Sequence, residues 1–199
     1  MFIQIIQGKC TRQDELRALA DQWREEMAPT ADGWLGGTYG FTDDNQFVGV
    51  IRFESREAAM RNSERPEQGE WAQKMTSLLE GPVEYHDCDD VTLMLDGGSD
   101  DAGFVQVIRG KVDDPQKLKA LMVDTDMLHE LRPDILGATL AIEADGTFTE
   151  TIAFTDEESA RAGEKKEMPE MPADVRETLE ASMKGATFYD LHHPWFASA

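Results

Sequence analysis

Residues 2–8 (Phe-Ile-Gln-Ile-Ile-Gln-Gly) are rich in β-branched side chains and partly alternating, which predicts a strand. From Asp14 the apolar positions become Leu16, Leu19, Ala20, Trp23 and Met27, a spacing that falls on one helical face. Residues 33–41 and 46–53 read as two strands joined by Thr-Asp-Asp-Asn at 42–45, a turn by composition. Ser55 is placed to cap a helix running to about Met60, and Pro66 restarts it where a proline fits a first turn. Trp71, Met75, Leu78 and Leu79 form a buried helical stripe, and 82–88 closes the series as a strand with 91–95 as a candidate extension. Further along come strand 104–110, helix 115–129, strands 135–142 and 147–154, a broken helix over 157–183 and strand 185–191.

The second series repeats the first. Phe2–Lys9 matches Phe104–Lys111 at an offset of 102, and Leu16 and Leu19 match Leu118 and Leu121. Asp44, Phe47, Ile51 and Phe53 match Asp145, Phe148, Ile152 and Phe154 at an offset of 101, and Gly81 and Tyr85 match Gly185 and Tyr189 at 104. The matches divide the chain into a first repeat (1–95), a Gly/Asp-rich linker (96–103), a second repeat (104–191) and a tail (192–199).

A βαββαβ order with right-handed crossovers predicts an α+β fold, the ferredoxin-like split βαβ sheet with strand order 4-1-3-2 and helices on one face. Two copies in one chain suggest that the open faces pack on each other, making an intramolecular α/β barrel in which one chain is a pseudo-dimer. On that reading Ile3 and Ile5 face the helices, while Phe2, Gln4 and Ile6, with Phe104, Gln106 and Ile108, face the partner sheet.

Charge narrows the range of functions. Forty Asp and Glu against 19 Lys and Arg give a net charge of −21, which argues against nucleic acid and anionic membrane surfaces as partners. No apolar run approaches the roughly 20 residues of a membrane span. The opening MFIQIIQGKC has neither a basic start nor a long apolar stretch, so a cytoplasmic protein is expected.

Residues 47–55 (FVGVIRFES), the following Arg56-Glu-Ala-Ala59 and the Trp71 helix resemble the dimeric α/β-barrel superfamily, within it the antibiotic-biosynthesis-monooxygenase-like group, here as a tandem fusion. The resemblance implies the fold, and it implies a range of chemistry from cofactor-independent oxygenases and isomerases to haem-degrading enzymes. The haem branch carries a first-strand Asn, a Trp and a haem-ligating His after it. This sequence has Gln4 at the first position and Leu79, Glu80 and Gly81 where the His belongs, so no cofactor is expected.

Several residues are candidates for a small-molecule site. Gln4 and Gln106 are placed either to orient a substrate carbonyl or to pair with each other. Trp71 could stack an aromatic substrate or fill the core. Arg52 could bind a carboxylate or phenolate, or sit in a surface ion pair. Glu150, flanked by Phe148 and Ile152, becomes a buried acid of raised pKa and a candidate general base if those neighbours point inward. Phe2 and Phe104 complete the expected lining. His86 with Cys88 and Asp87, and His192-His193, are the only metal-like groupings, and alternation along a strand keeps the first from converging on one ion. Three functions fit: a cofactor-independent monooxygenase or isomerase acting on a small, aromatic-type molecule; a module that binds such a molecule without turnover; or a scaffold.

Overall fold

The computed structural model describes residues 1–122, 129–166 and 172–199. The parts of the predicted helices that fall at 123–128 and 167–171 lie outside the described residues. The chain divides into two units, residues 1–89 with 195–199, and residues 90–194.

The first unit begins with β1 (Phe2–Lys9), α1 (Gln13–Glu26) and a 3-10 turn (Ala28–Thr30). There follow β2 (Trp34–Phe41), β3 (Gln46–Phe53), α2 (Arg56–Ser63), α3 (Pro66–Leu78) and β4 (Glu80–Cys88). In the β2–β3 turn Asn45 takes φ 66°, a left-handed conformation that Asn tolerates, and Thr42 Oγ1 accepts from the Gln46 N–H at 3.0 Å. Ser55 caps α2 by accepting from the Ala58 N–H at 3.2 Å. The strands pair antiparallel in the order β10-β2-β3-β1-β4, where β10 is Trp195–Ser198. The second unit holds β5 (Asp90–Met94), β6 (Phe104–Lys111), α4 (Pro115–Leu121), β7 (Ile135–Ile142) and β8 (Thr147–Phe154). It continues with α5 (Glu157–Glu164), α6 (Ala173–Met183) and β9 (Thr187–Leu191), and its sheet order is β5-β7-β8-β6-β9.

Each sheet therefore contains the 4-1-3-2 order of a ferredoxin-like repeat, and the tandem α+β architecture is present. Each also carries a fifth strand at the edge next to its second strand. Residues 90–94 do not extend β4. They pair with β7, Asp90 opposite Ile142 and Met94 opposite Ala138. The residues of the expected tail form β10 on β2, Trp195 opposite Tyr39 and Ser198 opposite Gly36. A sheet edge offers unpaired N–H and C=O groups to any strand that can reach it, whatever its distance in sequence.

The facing of the first strand is the reverse of the expectation. Phe2 packs in one cluster with Trp23 of α1, Met27 just after it and Ala58 of α2, and Ile6 in another with Leu16 of α1 and Met75 of α3. Phe2, Gln4 and Ile6 thus face the helices, and Ile3, Ile5 and Gln7, all buried, take the opposite face. The same holds in the second unit, where Ile108 packs with Leu118 and Phe104 with Ala160. The register also moves one repeat match. Tyr85 lies opposite Ile6 and Phe188 opposite Ile108, so Tyr85 corresponds to Phe188 and not to Tyr189. No helix among the described residues is long and apolar enough to cross a membrane.

Candidate functional site

An aromatic cavity of about 80 Å³ lies within the first unit, between the sheet and its three helices. Gln4 and Ile6 of β1 and Phe47 and Ile51 of β3 form its floor, and Trp23 of α1 and Trp71 of α3 form much of its roof. Trp34 and Tyr39 of β2 close it on one side. Each residue arrives by simple periodicity: alternate positions of three strands, and one stripe each of α1 and α3.

The rings interlock. Trp23 meets Trp34 edge-to-face with centroids 5.1 Å apart and Trp71 with centroids 6.4 Å apart. Tyr39 stacks on Trp195 of β10 at 5.6 Å. Two of the indole N–H groups are satisfied. Trp23 Nε1 donates to Gln68 Oε1 at 2.7 Å, and Trp71 Nε1 to the Leu19 carbonyl at 3.0 Å. Trp34 Nε1 is buried and has no acceptor. Burial of a donor without a partner costs free energy that a bound acceptor would recover.

The lining is uncharged. Among the described residues, none that lines the cavity is a carboxylate, histidine, lysine, arginine or cysteine. Its one titratable group is the Tyr39 phenol, which burial pushes up to about 12, only partly offset by the positive charge of Arg52. Tyr39 is a hydrogen-bond donor at neutral pH, not a base.

Of the residues singled out from the sequence, the structure brings Gln4 and Trp71 to this cavity. The Gln4 amide is already engaged: Nε2 donates to Asp87 Oδ1 at 2.9 Å. Phe2 lies in the cluster behind the cavity, beneath the Arg56 guanidinium at 4.9 Å. Arg52 alternates to the other face of β3 and donates to Thr38 Oγ1 at 3.1 Å. Gln106, Phe104 and Glu150 belong to the second unit. Gln106 is engaged within its own unit. Its Nε2 donates to Asp190 Oδ1 at 2.9 Å. Phe104 lies under Arg161 at 5.2 Å. Glu150 shares a face with Phe148 and Ile152 and stands opposite Ile108 and Leu140, and burial pushes its carboxyl up to about 7.

Trp23, Trp34 and Tyr39 were not legible as site residues. Trp23 and Trp34 belong to unremarkable apolar patterns, and only the fold shows that they converge.

The tandem ferredoxin-like architecture is shared with several solved structures. One solved structure, a "putative monooxygenase" from Lactobacillus acidophilus NCFM, superposes with a TM-score of 0.71 over 100% of this chain and 97% of its own, at 13% identity. An anthrone oxidase-like protein matches with a TM-score of 0.65 over 100% and 94%, at 9% identity. A ferredoxin-fold protein from Listeria monocytogenes related to antibiotic biosynthesis monooxygenases matches with a TM-score of 0.52 over 96% and 94%, at 10% identity. At these identities the likeness is one of fold. No protein-family model matches the chain, and no curated protein matches it in sequence.

Proposed function

We propose that the first unit binds a small, flat, uncharged molecule that carries a carbonyl or phenol oxygen. The observation that carries this reading is Trp34: a buried N–H without an acceptor, at the wall of an aromatic cavity whose lining has no charge. A flat ligand is favoured by the aromatic walls, and an oxygen acceptor by the free indole N–H. A charged ligand would lose its hydration there and find no counter-ion.

A second reading is cofactor-independent oxygenation of the same ligand, favoured by the fold shared with the Lactobacillus protein and the anthrone oxidase-like protein. The lining restricts it. No group there accepts a proton at neutral pH, so a substrate that must lose one before meeting O₂ has to be acidic enough to ionise unaided.

One titration separates these readings. Anthrone and 1-naphthol are added to the full chain, binding is followed by tryptophan quenching, and oxygen uptake is recorded alongside. Saturable quenching without uptake supports the binding module. Quenching with stoichiometric uptake moves the protein to the oxygenases. No quenching by either compound sinks the site.

A further inference from the structure

The cavity is too small for the ligand it is shaped to attract. An apolar cavity of about 150 Å³ takes benzene, and ordinary ligand sites exceed about 300 Å³, whereas this one measures about 80 Å³. Just outside it, between α1 and α3, lies a groove of about 290 Å³. The two spaces share Trp23 and Trp71.

We propose that Trp23 is a movable partition between cavity and groove, and that its latch to Gln68 sets the size of ligand the site admits. The inference rests on the binding reading above and adds the means of entry. The two shared indoles are held differently. Trp71 donates to a main-chain carbonyl inside α1, at Leu19, and that acceptor is fixed as long as the helix stands. Trp23 donates to a side-chain amide, Gln68 Oε1, on the other helix. Gln68 sits in the first turn of α3, where Arg65 at the N-cap makes no side-chain capping bond. Gly69 follows, with open space around its Cα, and a glycine weakens a helix by about 1 kcal/mol relative to alanine. The latch is thus a side chain that can turn while its helix stands, which the acceptor of Trp71 cannot. The backbone of that turn is itself held: Arg65 donates to Asn62 Oδ1 at 3.0 Å and to Thr30 Oγ1 at 2.7 Å, and the Gly69 N–H donates to the Arg65 carbonyl at 3.1 Å, so the freedom is that of the Gln68 side chain. With Trp23 swung outward, cavity and groove become one continuous space with Trp34 in its lining.

The test is stopped-flow tryptophan quenching by 1-naphthol on the wild-type chain, Gln68→Ala, Gln68→Glu and Trp23→Phe. Losing one hydrogen bond raises the open population, so association in Gln68→Ala and Trp23→Phe becomes roughly 3- to 10-fold faster. A carboxylate accepts more strongly from the indole, so Gln68→Glu associates more slowly than wild type. Should Gln68→Ala fail to fold by circular dichroism, Trp23→Phe and Gln68→Glu carry the comparison. Equal association rates in all proteins, with wild-type binding intact, overturn the partition and leave the cavity standing. No quenching in any of them removes the cavity reading and the partition together.

Discussion

Gln106 donates to Asp190 across the β6–β9 pair at 2.9 Å, and Gln4 makes the same bond to Asp87 across β1–β4 at the same distance. Each aspartate is in turn held by an arginine that covers the phenylalanine at the start of the strand: Arg56 binds Asp87 and lies over Phe2, and Arg161 binds Asp190 and lies over Phe104. The two arginines are not equivalent in sequence. Ser55 and Asp156 are the matching caps, so Arg56 is the first residue of its helix and Arg161 the fifth of its own. One turn of helix separates them, yet both reach the same carboxylate. The network anchors the first and last strands of each repeat to the helix between them.

The two arms of this network differ in strength. Arg56 and its two partners Asp87 and Asp89 are 38%, 43% and 60% exposed, and such pairs contribute about 0–1 kcal/mol each. Arg161 is more enclosed and binds Glu157, Glu164 and Asp190 together. Urea unfolding should show Arg161→Ala losing about 1–2 kcal/mol and Arg56→Ala less than about 1. An equal or larger loss for Arg56→Ala contradicts this ranking.

Trp195 fastens the C-terminal strand to the first unit through Tyr39, Phe41 and Phe47, with Arg17 stacked over its ring at 5.4 Å. Trp195→Ala should cost about 3–5 kcal/mol, as truncation of a buried tryptophan does. Calorimetry gives the check: a melting temperature within a degree or two of wild type shows that β10 is dispensable.

Glu150 makes stability depend on pH in an unusual direction for a carboxyl. Its folded pKa of about 7 lies above the unfolded value of about 4.3. Between those values the folded state binds more protons than the unfolded state, so stability falls as pH rises. The contribution is intact below about pH 4, is lost progressively up to about pH 7, and then stays lost, on the order of 3 kcal/mol. Glu150→Gln should flatten this slope between pH 5 and 7.5 in denaturant titrations. A wild-type stability that rises over that interval, with no difference from the variant, refutes the assignment.

Trp34→Phe keeps a ring in the cavity wall and removes its free donor. Affinity for 1-naphthol should drop about 3- to 10-fold while folding stability changes by about 1 kcal/mol or less. Unchanged affinity by calorimetric titration means that the indole N–H does not meet the ligand.

Much of the architecture was legible because the repeat is written in side chains that must be buried. Phe2–Lys9 and Phe104–Lys111 recur because both are central strands, and Asp44 and Asp145 because both shape a turn. The facing of β1 was not legible. Phe2, Ile3, Ile5 and Ile6 are all buried, so the strand has no polar face to give its parity away. The arginine network was hidden for a related reason. Alignment places Arg56 against Glu157, and only the folded helices show that a residue one turn later does the same work. Trp71 was legible from its stripe with Met75, Leu78 and Leu79 and from the resemblance of its helix, whereas its partners Trp23 and Trp34 are brought to it by pairing and packing that no local pattern records.

The placing of β10 has a consequence for how the chain is made. The edge of the first sheet is completed by residues 195–198, yet its other four strands are finished by Cys88. A ribosome adding about 5–20 residues per second needs on the order of ten seconds to cover that interval. For that time the first repeat emerges with an open β2 edge, while β5, already made, has no β7 to join. The earliest-synthesised half of the protein is thus the last to be sealed, and until β10 arrives its β2 edge stands open to any strand that can reach it.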